Sequence, residues 1–241
     1  MTLTEVARSR SLAKHQSRLP QPGSIIASSF TSPIDALYLA AIFDPVFTAS
    51  YPTTHLVHQV SLLQAIFRAF REPQRTPPRA AMLVSLERLI ARNPTRIIAV
   101  FPECTTTNGR GILSFSTSLL TTPAGSKIFP ISLRYSPADI TTPVPATYST
   151  FLWNLCSKPT HCIRVRIAQS VEGVAQKHIP DQVDDTASSS DTLLGSDYGE
   201  VDVENRKLLM RVGGALARLG RSKQFAFGVA NKEDFLRVGR K

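Results

Sequence analysis

One stretch of the chain gathers most of the groups that could do chemistry: Phe101-Pro102-Glu103-Cys104-Thr105-Thr106-Thr107-Asn108-Gly109-Arg110-Gly111. A carboxylate, hydroxyls, an amide, two glycines and a guanidinium share a single loop. Glycine lets backbone N–H groups approach an anion closely. Arginine holds a phosphate through two parallel hydrogen bonds. The residue types suit a phosphorylated ligand, and the competing reading is a solvated turn. Cys104, beside Glu103, reads either as a thiol nucleophile or as a buried, inert thiol, since no activating histidine is identifiable. A second polar group, Ser29-Phe30-Thr31-Ser32-Pro33-Ile34-Asp35, carries one carboxylate. It fits a helix start with Ser32 as N-cap, Pro33 at N1 and Asp35 at N3, a capping box.

The elements around these segments must hold them in place. Residues 96–101 are a short β-branched run, the pattern of a strand buried on both faces, so the 101–111 loop leaves a strand end. Open α/β sheets bind ligands outside such ends. Residues 24–27 read as a buried strand entered from Pro22-Gly23, and residues 36–43 as a helix apolar on most sides, hence buried, ended by Asp44-Pro45. A strand at 46–49 follows. The spacing of Val60, Leu63, Phe67 and Phe70 predicts a helix over 57–70, and that of Met82, Leu83, Leu86, Leu89 and Ile90 a helix over 79–92. Residues 127–135 and 162–167 supply two more strands, the second alternating apolar and basic so that one face is wet. Pro130 cannot donate to a ladder and marks an edge, a bulge or a strand end near a site. A helix over 208–219 and a short strand over 225–229 complete the pattern. The alternation predicts an α/β fold, a central mixed sheet flanked by helices.

The 241 residues divide into a basic arm or frayed terminus at 1–20, a core at 21–170, an acidic flexible insertion at 171–205 and a C-terminal helix and strand at 206–241 packing on the core. The net charge of +10 hides an asymmetry. Half of the acidic residues lie between Glu172 and Glu204, where Lys177 is the sole Lys or Arg, so the remainder is strongly basic. Such a surface attracts anionic lipid headgroups, phosphorylated substrates or nucleic acid. Basic residues are scattered rather than concentrated in a recognition helix, and aromatics interleaved with them are few, which argues against nucleic acid. Three cysteines form no disulfide framework, and Cys156 and Cys162 with His161 lack the second ligand pair of a zinc site. No apolar run reaches the ~18 residues of a spanning helix. Dinucleotide, P-loop and nucleophile-elbow motifs are absent.

Residues 101–110 resemble the FPEG-type block of the glycerolipid acyltransferases, in the form FPEGTTTNGR, with Cys104 standing where that block has glycine. Residues 29–35 are similar to the family's Asn-His-(four residues)-Asp block, and Phe129-Pro130-Ile131 to its apolar-Pro-apolar block. Order and rough spacing agree across residues 23–135. The resemblance implies a glycerol-phosphate acyltransferase-like fold and acyl transfer from acyl-CoA to a lysophospholipid, lysophosphatidic acid above all, forming phosphatidic acid. Acyl-CoA is then a substrate, and no cofactor or metal is implied. In the family a histidine takes the proton of the attacking hydroxyl and the aspartate orients it. Asp35 matches that aspartate, and Phe30 occupies the histidine position. Losing a general base lowers a rate typically ~10²–10⁴-fold. A catalytically degenerate lipid-binding or trafficking module is therefore the alternative. By the same resemblance Arg110 binds the lipid phosphate, while Glu103, Thr105, Asn108 and Gly109 shape the loop. His55 and His58 are the substitute bases nearest in sequence; Arg68 or Arg71 falls where the family has a further arginine, without matching its surroundings. The expected setting is an anionic membrane surface, the cytosolic face of the endoplasmic reticulum or lipid droplets. Residues 1–20 show only a basic arm where relatives have an apolar segment, so attachment through the basic surface and apolar patches is expected.

Overall fold

The chain leaves its first described turn at Gly23 and runs straight into the middle of a sheet. The computed structural model describes residues 18–142, 144–145, 147–173, 201–225 and 227–238. Most of the expected basic arm (1–17) and of the expected acidic insertion (174–200) therefore lie outside the described residues. β1 (Ile25–Ser28) is buried at every position. The Ser32 hydroxyl then accepts from Ile34 N and the Asp35 carboxylate from Ser32 N, the predicted capping box, which starts α1 (Pro33–Phe43); Asp44 ends it in the left-handed region. α1 is less buried than its composition suggests. Pro33, Asp35, Ala36 and Leu39 face the core, whereas Leu37 and Ile42 are exposed.

β2 (Val46–Ala49) follows as expected. The helix expected over 57–70 is instead β3 (Val57–Val60) followed by α2 (Leu62–Arg68). Ser61 divides them, because its hydroxyl accepts from Gln64 N while Gln64 accepts from Ser61 N, a reciprocal cap that begins the helix only there. The helix expected over 79–92 divides in the same way into β4 (Leu83–Val84) and α3 (Leu86–Arg92), with the Ser85 hydroxyl accepting from Arg88 N. Beyond β5 (Ile98–Val100) come β6 (Gly111–Ile112), β7 (Lys127–Ser136), α4 (Tyr148–Cys156), β8 (Cys162–Ile167) and β9 (Val171–Glu172). α5 (Val201–Gly220), β10 (Lys223–Gln224) and α6 (Val229–Val238) close the described chain. The strand expected over 225–229 is corrected: β10 lies just before it, paired with β6, and residue 229 opens a helix whose Asn231 side-chain oxygen Oδ1 accepts from Gly228 N.

The main sheet is mixed and eight-stranded, in the order β4-β3-β2-β5-β1-β7-β8 with β9 also beside β7. β2, β5, β1 and β7 are parallel neighbours, and β3, β4, β8 and β9 pair antiparallel. Helices cover both faces. α1, α2 and α4 pack with Phe30, Phe47 and Phe101 on one, while α3 and α5 pack with Ile98, Val100 and Ile128 on the other. Pro130 is not at an edge. Ile131 O accepts from Ser29 N, whereas Pro130 O accepts from Ala168 N, so the proline nitrogen faces the gap between β9 and β8, where no donor is needed.

Candidate functional site

Three chain segments far apart in sequence meet where β1 and β5 end, beside the middle of β7. Ser29 N donates to Ile131 O at 3.1 Å and the Ser29 hydroxyl accepts from Leu133 N at 3.2 Å, joining β1's exit to β7. Thr107 N donates to Phe30 O at 2.9 Å, joining the same exit to the loop after β5. Between them lies a small cavity lined by Ser29, Thr31, Glu103, Gly109, Ser132 and Arg134 among others, with the end of α5 across it at Leu216 and Gly220. The parallel strands thus put the polar loop where α/β sheets usually take ligands.

Glu103 is 1% exposed. One oxygen accepts from Phe30 N at 3.4 Å and the other from Leu113 N at 3.1 Å. Burial pushes its carboxyl up to about 8, more than the two backbone N–H groups pull it down; Asp35 adds to the rise and Lys232 opposes it. A carboxyl that titrates near neutrality in a cavity wall can exchange a proton with a bound ligand.

Asp35 is fully buried and fully engaged. One oxygen accepts from Thr31 N at 2.6 Å, Ser32 N at 2.9 Å and the Thr31 hydroxyl at 3.2 Å; the other accepts from the Tyr135 hydroxyl. Burial raises it to about 6 against those hydrogen bonds. The same contact and burial push the Tyr135 hydroxyl far above its ordinary value. No histidine among the described residues hydrogen-bonds to Asp35. Phe30 is 1% exposed and stacks on Phe101 with ring centroids 4.5 Å apart, inside the core; its side chain is not among the cavity-lining groups. Its backbone meets the polar part of the loop through Glu103 and Thr107, while its ring meets Phe101 at the loop's start.

Within the loop, Cys104 holds φ +61°, the left-handed region that favours glycine, and glycine is the residue that the resemblance puts there. Its thiol is buried, donates to Pro102 O at 3.6 Å, and is pushed up to about 11 by burial, the opposite of nucleophile activation. Thr105 and Thr106 are also buried and are tied to Lys232, whose ammonium donates to the Thr105 hydroxyl at 2.9 Å and to Thr106 O at 2.5 Å. Burial lowers Lys232 to about 8, with Glu103 opposing. Thr107 and Asn108 fold the tip back: their side-chain oxygens accept from Gly109 N at 3.3 Å and Arg110 N at 3.0 Å. Gly109, at φ +69°, needs its missing side chain. Asn108 and Arg110 are exposed, and neither lines the cavity.

The remaining sequence candidates sit elsewhere. His58 Nδ1 lies 3.2 Å from Met82 O on β3, and the His55 Nδ1 is buried without a partner. Arg68 donates to Ser50 O at 2.8 Å and to the Tyr51 hydroxyl at 3.1 Å, with its guanidinium over the Tyr51 ring. Sequence reasoning missed Tyr135, Arg134 and Lys232. The first two lie in the strand identified around Pro130 and were within reach of a face-by-face reading of it; Lys232, in a helix read partly as strand, had no local signal.

An α/β protein with a small cavity at its parallel strand ends, walled by serines, threonines, Glu103 and Arg134 among others, is the class that fold and site define. Across 216 residues, 90% of this chain, the sequence is 24% identical to a Schizosaccharomyces pombe protein named, provisionally, as a lysophosphatidic acid:oleoyl-CoA acyltransferase. The matched part spans 62% of that protein's length. No protein-family model matches the chain, and no solved structure matches it. The chain is thus similar along most of its length to a protein named as an acyltransferase.

Proposed function

We propose that this chain transfers an acyl group from acyl-CoA to the free hydroxyl of a lysophospholipid, lysophosphatidic acid first, giving phosphatidic acid on a glycerol-phosphate acyltransferase-like fold. The observation that carries the reading is convergence: the three segments that resemble the family's blocks, around residues 30, 103 and 130, meet at one end of the sheet around one cavity. The similarity to the yeast protein over nine-tenths of the chain supports it.

In this reading the lipid hydroxyl attacks the thioester carbonyl, a C–O bond forms, the C–S bond breaks, and coenzyme A leaves as its thiol. Glu103 is the proton acceptor, because it is the carboxyl in the cavity wall and burial holds it near 8. Asp35 acts through structure, fixing the turn that carries Ser29 to Ser32. Lys232 holds Thr105 and Thr106 in place behind Glu103, and Gly109 gives the loop its bend. Leu37 and Ile42 on α1, Leu63 and Phe67 on α2 and Trp153 on α4 are exposed on one face of the sheet. No helix among the described residues is long and apolar enough to cross a membrane. These side chains, with the excess of basic residues, suit attachment to an anionic membrane surface such as the cytosolic face of the endoplasmic reticulum or a lipid droplet.

The core position of Phe30 and the complete engagement of Asp35 favour a second reading, a non-catalytic lipid-binding module. Purified protein assayed with lysophosphatidic acid and oleoyl-CoA separates them. Turnover in the wild type that falls ~10²-fold or more in Glu103→Gln supports the first reading. Silence in the wild type with turnover in Phe30→His identifies a degenerate enzyme. Silence in both with retained lysophosphatidic acid binding favours the module.

A further inference from the structure

β7 runs past the end of its parallel neighbour: Ser28, the last residue of β1, is level with Ile131. The part of β7 beyond that level is held by β8, where Ser132 lies opposite Arg166 and Arg134 opposite Arg164. Residues two apart on a strand share a face, so Ser132, Arg134, Arg164 and Arg166 all project from one side. Ile128, on the same face four residues before Ser132, is buried against α5. The face therefore changes from apolar to cationic where the strand enters the cavity.

Like charges directly opposite in an antiparallel pair destabilise it. Arg166 has an internal role, since its guanidinium donates to Leu219 O at 2.8 Å near the end of α5, where carbonyls lack helical partners. Arg134 and Arg164 have no such compensation. Both are exposed, and no carboxylate among the described residues makes an ion pair with either. Arg134 lines the cavity together with Ser132 and Ser222; Arg164 lies outside the lining but directly opposite Arg134 on β8, whereas Arg110, the arginine that the sequence resemblance points to, is outside the lining and on neither strand.

We infer that Arg134 and Arg164 form a phosphate-binding subsite at the mouth of this cavity, with Ser132 and Ser222 as hydroxyl donors. The inference deepens the acyl-transfer reading and rests on it for the ligand's identity. A phosphate between the two guanidiniums relieves their repulsion and receives charge-assisted hydrogen bonds from both. Arg166 remains a positioning residue that ties β8 to α5. Glu103, in the same cavity, is the carboxyl that faces the anion; burial raises it to about 8, so its neutral form, which does not oppose a phosphate, and the carboxylate that accepts the proton in the acyl-transfer reading interchange near neutral pH. Two ligands bring a phosphate here: the headgroup of lysophosphatidic acid and the 3′-phosphate of coenzyme A.

The test is equilibrium binding by the whole chain and its Arg134→Ala, Arg134→Lys, Arg164→Ala and Arg110→Ala variants, each checked for wild-type melting. Lysophosphatidic acid is compared with monoacylglycerol, and coenzyme A with dephospho-coenzyme A. Arg134→Ala and Arg164→Ala are expected to weaken the phosphorylated member of one pair ~10- to 100-fold and leave its phosphate-free analogue unchanged. Arg134→Lys recovers part of the loss, because charge is kept and the bidentate fork is not. Loss confined to lysophosphatidic acid assigns the lipid headgroup; loss confined to coenzyme A assigns its 3′-phosphate; either supports the subsite. Affinity unchanged in both alanine variants, or a larger loss in Arg110→Ala, overturns it. If the wild type binds neither ligand, inorganic pyrophosphate is titrated instead. Arg134-dependent pyrophosphate binding then upholds the subsite while refuting acyl transfer, and no binding refutes the subsite as well.

Discussion

Cys104 is a position where glycine should outperform alanine. Its φ of +61° puts Cβ against the following carbonyl, which costs a residue with a side chain roughly 1–2 kcal/mol. Its side chain is 6% exposed, so each buried carbon-sized group returns about 0.8 kcal/mol. Alanine at 104 gives up the sulfur and keeps the strain. Glycine gives up the sulfur and the Cβ, and loses the strain. The difference between the two variants is therefore the strain less one buried methyl, about 0.2–1.2 kcal/mol in favour of glycine. That corresponds to a melting temperature higher by up to about 5 °C for Cys104→Gly than for Cys104→Ala in a chain of this size. In ordinary helical or extended backbone the order is reversed by a similar amount. Urea unfolding of both variants with equal m-values measures the difference directly. Alanine equal to or more stable than glycine refutes the strain argument, and with it the physical reason for expecting glycine at this point of the loop.

Burial raises Glu103 from 4.5 to about 8, so between those values the unfolded chain has released a proton that the folded chain keeps. Stability then falls as pH rises through that window, by up to ~4–5 kcal/mol, and Glu103→Gln should flatten the fall above pH 6, where Asp35 has already titrated. Unfolding free energies at pH 6 and pH 8 for the two proteins check this. Lys232 has the opposite sign: its folded value is lowered to about 8 from 10.5, the unfolded chain binds the extra proton between them, and stability rises with pH there. Lys232→Met should abolish that rise, read from denaturation at pH 8 and pH 10. Tyr135→Phe removes the hydroxyl that donates to Asp35 and should destabilise by about 1–3 kcal/mol, measured by urea unfolding at pH 7. An unchanged midpoint would show that the hydroxyl is not needed to satisfy the carboxylate.

The C-terminal segment is part of the site rather than an appendage. Lys232 on α6 anchors Thr105 and Thr106, Glu233 pairs with Arg75 at 2.7 Å, and the end of α5 closes one side of the cavity. The exposed Arg75–Glu233 pair contributes little stability by itself. The half-buried lysine matters more, because its ammonium hydrogen-bonds to Thr105 and Thr106 of the loop that presents Glu103.

Features that depend on neighbours along the chain were legible in the residues themselves. The Ser32 capping box and the Asp44 stop follow from hydrogen bonds spanning at most four residues, and the strand before the polar loop from a β-branched run buried on both faces. The mixed α/β sheet followed from the alternation of such elements. The two expected helices that proved to be a strand plus a shorter helix show the limit: apolar residues three and four apart on paper also fit an alternating strand interrupted by a serine cap. Pairing with β2 and β3 decided between them. Tertiary structure alone decided that the Phe30 ring enters the core, that Tyr135, a hundred residues away, satisfies Asp35, that Lys232 reaches Thr106, and that Arg134 rather than Arg110 lines the cavity. The first three are contacts made across 70 or more residues of sequence. A side chain's type is written in its codon's residue, but its burial and its charge partner are set by strand register and helix packing, which no local pattern contains.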